Sequence, residues 1–381
     1  MKILITGGAG FIGSHLVDAL VTDKHHVVVF DNLDPQVHGQ GKRVPAYFNR
    51  AAEFVLGDVR DKALLSMVVA DVDVVYHLAA ATGVGQSEYE ISHYVSVNVT
   101  GTANLLEALV TSGRNLKQFV LASSRAVYGE GKYQCIRCGP VFPKPRSIEQ
   151  LERGEWEVAC PKCGQWVRAV ATDEDKPLQP DSIYAISKRT QEELCLHVGK
   201  AYGIPVVVLR FFNVYGPRQA LSNPYTGILS VFSARLLNGK SIEIYEDGAE
   251  SRDFVHVRDA VQACVLALHR HEACGQIINV GTGVATSILE IGRLLMSKLG
   301  VEAPPLIPGK FRVGDIRHCY ADLTKATKVL GFSPQITLAD GIDNLLAWVR
   351  EQTPQDLSWQ AERELIAKGL LRTRQNLASV A

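Results

Sequence analysis

The stretch Lys2-Ile3-Leu4-Ile5-Thr6-Gly7-Gly8-Ala9-Gly10-Phe11-Ile12-Gly13, followed by Ser14 and His15, decides the fold. A short apolar, β-branched run ends in a glycine turn, and apolar residues then resume at helical spacing. Gly7, Gly10 and Gly13 permit the tight turn, the close approach of Phe11 and Ile12 backbone to a pyrophosphate, and packing of helix on strand. A glycine pattern alone is weak, but the second strand ends at Asp31, where a carboxylate can accept from both adenosine ribose hydroxyls. A 2′-phosphate would meet Asp31 as a like charge, and Asn32-Leu33 supplies no arginine, so NAD is expected over NADP. Asp58, in Gly57-Asp58-Val59-Arg60, is placed either to meet the adenine or to cap a helix.

Outward from the turn the rhythm repeats. Lys2 to Thr6, His26 to Phe30, Asp73 to His77, Gln118 to Ala122 and Pro205 to Phe211 lack polar alternation, as strands covered on both faces do. Phe11 to Val21, Lys62 to Val69, Val95 to Thr111 and Ser182 to Tyr202 are long enough for crossover helices. The pattern predicts an α/β fold, a Rossmann-type doubly wound parallel sheet. At 381 residues and 46% apolar content the chain can build more than one core. Lys plus Arg and Asp plus Glu both number 40, so no net field gathers nucleic acid or an anionic membrane. The N-terminus enters a strand directly and no run of about 20 apolar residues occurs, which predicts a soluble, cytoplasmic protein.

Between residues 130 and 172 Gly, Pro and Cys break the pattern. Cys135-x-x-Cys138-Gly139 and Cys160-x-x-Cys163-Gly164 are two tight knuckles, each presenting a thiolate pair. Four soft ligands suit a structural zinc; a fourth thiolate closes the shell and leaves no open position for catalysis. The other cysteines, Cys195, Cys264, Cys274 and Cys319, have no framework spacing, consistent with a reducing compartment.

Tyr184 and Lys188 stand at i and i+4 on one helix face, where an ammonium near a phenol favours the phenolate. With Ser123-Ser124 at the carboxyl end of a strand they form a candidate proton relay.

These residues, with His77-Leu78-Ala79-Ala80, Ser123-Ser124-Arg125-Ala126-Val127-Tyr128-Gly129, Arg210-Phe211-Phe212-Asn213-Val214-Tyr215-Gly216-Pro217, Arg252-Asp253-Phe254-Val255-His256-Val257 and Asn279-Val280-Gly281-Thr282-Gly283, make the chain resemble extended short-chain dehydrogenase/reductases, specifically the nucleotide-sugar epimerase/dehydratase branch. The resemblance covers nearly everything but the cysteine insert and the tail. It implies Tyr184 as acid/base, Lys188 as its partner and holder of the nicotinamide ribose, and Ser124 on the reacting oxygen. It implies cofactor contacts from Val59, Leu78, Ala79, Ala80, Thr82 and Asn98 besides the glycine turn. Val84, Arg125, Asn213, Arg252, Arg312 and Asp315 would meet a nucleotide sugar, with Arg252 and Arg312 on the diphosphate unless Arg252 pairs with Asp253 or Asp259. Cys319 holds the position that gates the sugar pocket in related 4-epimerases.

Dehydratases of this branch carry an acidic pair just after the catalytic Ser or Thr, and decarboxylases keep a glutamate there. Here those positions are Arg125 and Ala126, which offer no general acid or base at neutral pH. The expected reaction is reversible oxidation at C4 of a UDP- or dTDP-linked hexose. Another dehydratase or reductase of the same fold is the alternative; a third is a non-catalytic dinucleotide sensor whose insert, through Lys132, Arg137, Lys144, Arg146, Lys162 and Arg168, binds nucleic acid or a protein. The expected division is a cofactor domain over 1–212, holding the insert and joined by 251–280, a sugar-nucleotide domain over 213–250 and 281–352, and a tail over 353–381, either a docked helix or a frayed end. The resemblance also implies a homodimer built from Val95 to Thr111 and Ser182 to Tyr202.

Overall fold

The computed structural model describes residues 1–353 and 355–374. Part of the expected tail therefore lies outside the described residues. Seven parallel strands form the central sheet: β1 (Lys2–Thr6), β2 (His26–Asp31), β3 (Glu53–Leu56), β4 (Val74–His77), β5 (Gln118–Ser124), β6 (Val206–Phe211) and β7 (Ile277–Val280). Their order is β7-β6-β5-β4-β1-β2-β3, so the direction of winding reverses between β1 and β4. Crossovers on both faces explain the unbroken apolar strands. In β1 and β2, Ile3, Ile5, Val27 and Val29 face one core with Leu16, Val17 and Val261. Leu4, Val28 and Phe30 face the other, with Leu105, Leu109 and Cys195.

The crossover helices begin where their caps dictate. Helix α1 (Phe11–Thr22) starts after Gly10, and α2 (Gly101–Ser112) continues from a wider, π-type turn over Val95–Thr100. Helix α3 (Ile183–Tyr202) is capped by Ser182, whose hydroxyl accepts from Ala185 N. Gly7 has φ +72°, and a Cβ there would lie 2.7 Å from Ala79 N, so the turn and the loop after β4 touch only because both are bare backbone. A third apolar cluster, including Leu229, Phe232, Ile242, Ile244, Ile291 and Leu345, gathers residues from beyond β6.

The insert is a three-stranded antiparallel sheet with Lys132–Cys135 between Gly139–Val141 and Arg168–Val170. The tail contributes a docked helix, Ser358–Ala367, and a strand, Leu371–Thr373, paired antiparallel with Lys310–Arg312. No helix among the described residues is long and apolar enough to cross a membrane.

Candidate active site

A cavity of about 660 Å³ opens at the carboxyl end of the sheet, at the point where winding reverses. Gly7, Gly10, Phe11, Ile12, Gly13, Asp31, Asn32 and Val59 line one end of it. Gly13 cannot be larger, since a Cβ would stand 2.3 Å from Gly7 O. The Asp31 carboxylate is held by Ala9 N at 3.0 Å and Leu33 N at 2.9 Å, and only 7% of the residue is exposed. The loop after β4 supplies Leu78, Ala79, Ala80 and Thr82. An exposed helix N-terminus with no acidic residue in its first turn, bare glycine backbone and an oriented carboxylate together fit a dinucleotide.

Ser124, Arg125, Tyr184 and Lys188 also line the cavity, with the Ser124 hydroxyl on the Tyr184 phenol. Tyr184 is set by the end of the short helix Val84–Ser87: Ser87 Oγ accepts from Tyr184 N at 3.1 Å and Glu88 from Ile183 N at 3.0 Å. Burial pushes the Tyr184 phenol's pKa up, and the Ser124 hydroxyl and the Arg125 charge oppose the shift. Lys188, 3% exposed, donates to Ala122 O at 2.9 Å, and burial lowers its pKa to about 8. Lys188 thus sits one helical turn from Tyr184 with its ammonium on the strand carbonyl.

Val84, Asn213, Arg252, Arg312 and Asp315 line the other end. Arg252 does not pair with Asp253 or Asp259; it donates to the carbonyls of Ser251, Ile316 and Arg317. Asp253 instead accepts from Thr282 N and Gly283 N, and Asp259 from Gln335 N and Ile336 N. Arg312 and Asp315 bond each other at 2.7 Å. Asn213 Oδ1 and Arg312 Nε are buried without a hydrogen-bond partner, the mark of groups shaped for a ligand.

Three expected contacts do not reach the cavity. Asp58 is held by Arg60 through two side-chain bonds and by Asn32 Nδ2 at 2.9 Å, while Asp61 caps the next helix. Asn98, fully buried, bonds both Ala81 N and Ala81 O and donates to Ser187 Oγ, so it positions the loop that lines the cavity. Cys319 pairs in register with Arg252 on a neighbouring short strand and packs with Tyr128, Phe212 and Ala321 without lining the cavity.

Other groups had no motif to announce them. His38 lines the cavity with its Nε2 3.8 Å from Asp31 Oδ1 and its Nδ1 unpartnered. Glu250 lines it too, its carboxyl raised to about 8 by burial and by Glu246. Ala361, Glu362 and Leu365 bring in the tail helix, whose amphipathic pattern was the available signal. Glu364 anchors that helix by accepting from Tyr89 at 2.7 Å and Tyr225 at 2.5 Å.

No insert residue lines the cavity. The insert grips the segment that carries Arg312 and Asp315: Glu130 accepts from Arg317 N and His318 N, Arg146 donates to Asp315 O, and Trp156 packs on Phe311 at 6.1 Å. Arg146 and Lys132, two of the six basic residues considered for nucleic acid, are committed to Glu246 and Asp173. The ligand atoms of Cys135, Cys138, Cys160 and Cys163 all lie within 4.8 Å of one another. Cys135 and Cys163 sulfurs are 3.6 Å apart, far beyond a disulfide bond and near the edge of a tetrahedron with Zn–S of about 2.3 Å. Backbone amides of Cys138 and Arg137 point at Cys135 and hold its thiol down, to about 7.

The sequence profile of the NAD dependent epimerase/dehydratase family matches residues 3–147 and 161–281. The chain belongs to that family. The unmatched stretch between the two falls inside the cysteine insert. A dTDP-L-rhamnose 4-epimerase of Burkholderia thailandensis is 39% identical over 353 residues, 92% of this chain and 95% of that one. A dTDP-glucose 4,6-dehydratase of an Actinoplanes species is 31% identical, over 92% of this chain and 98% of that one. The crystal structure of a UDP-glucuronic acid 4-epimerase from Bacillus cereus, with UDP-glucuronic acid and NAD, superposes with a TM-score of 0.75 at 31% identity, covering 92% of this chain and 99% of that one. Nucleotide-sugar family members thus share the fold while differing in reaction.

Proposed function

We propose that the chain is an NAD-dependent 4-epimerase of a UDP- or dTDP-linked hexose. The observation that carries this reading is the turn after Ser124, which gives the cavity Arg125 and Ala126 and no carboxylate for elimination. Bound NAD supplies a hydride acceptor and donor that ends each turnover unchanged. Tyr184 takes the proton of the C4 hydroxyl, Ser124 hydrogen-bonds the same oxygen, and Lys188 holds the nicotinamide ribose. Asp31 binds the adenosine ribose; Arg252 and Arg312 bind the diphosphate; Asp315 and Asn213 accept and donate around the sugar nucleotide. The 4-keto sugar turns in the cavity and is reduced on its other face. Support for the C4 assignment comes from the named epimerase relatives.

The four cysteines are assigned to one structural zinc, on the strength of their convergence. The chain divides into a cofactor domain, a sugar-nucleotide domain and a docked tail at the boundaries set out above. Val95 to Thr111 and Ser182 to Tyr202 are assigned to a homodimer, where Val95 and Ile186 are 42% and 48% exposed.

Hydrogen tracing tests the reaction. Product made in D₂O carries no deuterium at C4, because the hydride returns from the cofactor without exchanging with solvent. Deuterium at C5 would instead show enolisation as in a dehydratase, and stoichiometric consumption of added NADH would show a reductase. Tyr184→Phe keeps the ring's packing and lowers turnover on the order of 10²-fold or more.

A further inference from the structure

Arg125 is the one cavity cation left without a counterpart among the described residues. It lines the cavity beside Ser124 and Tyr184, yet it makes no hydrogen bond or ion pair. Every other cavity cation near the substrate end is engaged: Lys188 by Ala122 O, Arg252 by three carbonyls, Arg312 by Asp315. The acids nearby are already used. Glu130 accepts from Tyr133 and from two backbone amides, and Asp315 Oδ1 is taken by Arg312. Its next neighbour in charge is Arg252, another cation. An unpaired guanidinium in a partly buried cleft is costly, and the cost is recovered only by an anionic ligand.

The diphosphate of a nucleotide sugar does not meet this need, for its charges fall to Arg252 and Arg312. What remains is a charge on the sugar. Arg125 follows directly on Ser124, the residue assigned to the C4 oxygen, and lines the same cavity, so the charge left for its guanidinium is one on a ring carbon next to C4. In a hexopyranose the carbon beside C4 that can bear a carboxylate is C5, through an oxidised C6. We propose that the sugar is a hexuronic acid, and that Arg125 binds its carboxylate and sets the enzyme's preference for a nucleoside-diphosphate uronate over the neutral hexose. This rests on the 4-epimerase reading for the placement of C4. A carboxylate is planar and offers two acceptors, matching the free donors of a guanidinium.

Binding tests the proposal on the full-length protein loaded with NAD, carrying Tyr184→Phe to stop turnover. Titration calorimetry compares UDP-glucuronate with UDP-glucose, dTDP-glucuronate with dTDP-glucose, and UDP alone. The uronate is expected to bind on the order of 10- to 100-fold more tightly than its neutral partner, as a charge-assisted bidentate pair allows. Arg125→Met should erase that ratio and Arg125→Lys should keep part of it. Equal affinities for uronate and hexose would overturn the proposal, as would a ratio that survives Arg125→Met. Weakening of UDP alone by Arg125→Met, as large as that of UDP-glucuronate, would also overturn it, since Arg125 would then be a phosphate ligand. Product analysis with the wild-type residue at 184 separates the two readings. Neutral hexoses epimerised with no uronate preference leave the 4-epimerase and remove the role of Arg125; selective uronate binding without any C4 epimer does the reverse.

Discussion

Replacing Arg146 by Met tests whether the cysteine insert acts on the substrate end of the cavity through a single side chain. Arg146 Nη1 donates to Glu246 Oε2 at 2.7 Å and Trp156 O at 2.9 Å; Nη2 donates to Glu246 Oε1 and Asp315 O, each at 2.9 Å. The two charged side chains are 1% and 3% exposed. Breaking a buried pair by removing one partner costs about 3–5 kcal/mol, because the other charge is stranded. Here Arg317 Nη1 remains 3.0 Å from Glu246, which puts the charge term near the lower bound. Two carbonyls also lose a donor, at about 1 kcal/mol each, so a total of about 5 kcal/mol is expected from denaturant unfolding. The released Asp315 carbonyl loosens the Arg312–Asp315 turn, so substrate KM should rise on the order of 10-fold, with kcat and NAD affinity little changed. Glu246→Gln should cost less in the Arg146→Met background than alone. An unchanged unfolding midpoint, or NAD affinity falling in step with substrate affinity, would refute the reasoning.

Two further predictions concern other parts of the molecule. Glu250 titrates normally in the unfolded chain, near 4.5, but near 8 when folded, so the folded state holds its proton longer and stability falls as pH rises between those values. Glu250→Gln should therefore become more stable than wild type as pH rises from about 5 to about 9, by a few kcal/mol at most; a stability difference independent of pH would show that the carboxyl is not buried as described. Protein purified without added metal should carry about one equivalent of zinc. Cys160→Ser should lose that zinc and destabilise the insert while NAD titration stays unchanged; metal-free protein with two stable disulfides would end the zinc assignment.

The cofactor half was legible because its signals are local. A glycine turn between β1 and α1 and an acid at the end of β2 each sit within one supersecondary unit, and apolar runs suffice to mark strands covered on both faces. Ser124 and Tyr184 could be found because the end of a strand and the start of a helix are themselves marked. What the sequence did not disclose is which side chains reach the cavity. Cys319 and Arg252 are register partners and so share a face, yet only the long Arg252 side chain lines the cavity while the short Cys319 packs with Tyr128 and Phe212, a difference of reach that no motif records. Asp58 pairs with Arg60, two residues on, and leaves the helix cap to Asp61, a division among neighbouring polar residues that spacing alone does not show. Partners far apart in sequence, such as Arg146 with Glu246 and Glu130 with Arg317, left no local trace.

Those distant partners tie the insert and the tail to the segment that carries Arg312 and Asp315. The strand Lys310–Arg312 is three residues long and Phe311 is its one apolar side chain, so it depends on what packs against it. The tail supplies backbone pairing on one side: Phe311 registers with Arg372, and Val313 N donates to Leu370 O at 2.8 Å. From the insert come Trp156 against Phe311, Arg146 on the Asp315 carbonyl and Glu130 on the amides of Arg317 and His318. Insert and tail also meet, Glu152 with Arg372 at 3.2 Å. A metal that stiffens the knuckles thus steadies the residues proposed to grip the diphosphate while leaving the glycine turn untouched. Loss of zinc is expected to raise substrate KM before it affects NAD retention, and this order of failure separates a bracing insert from one that is an independent binding module.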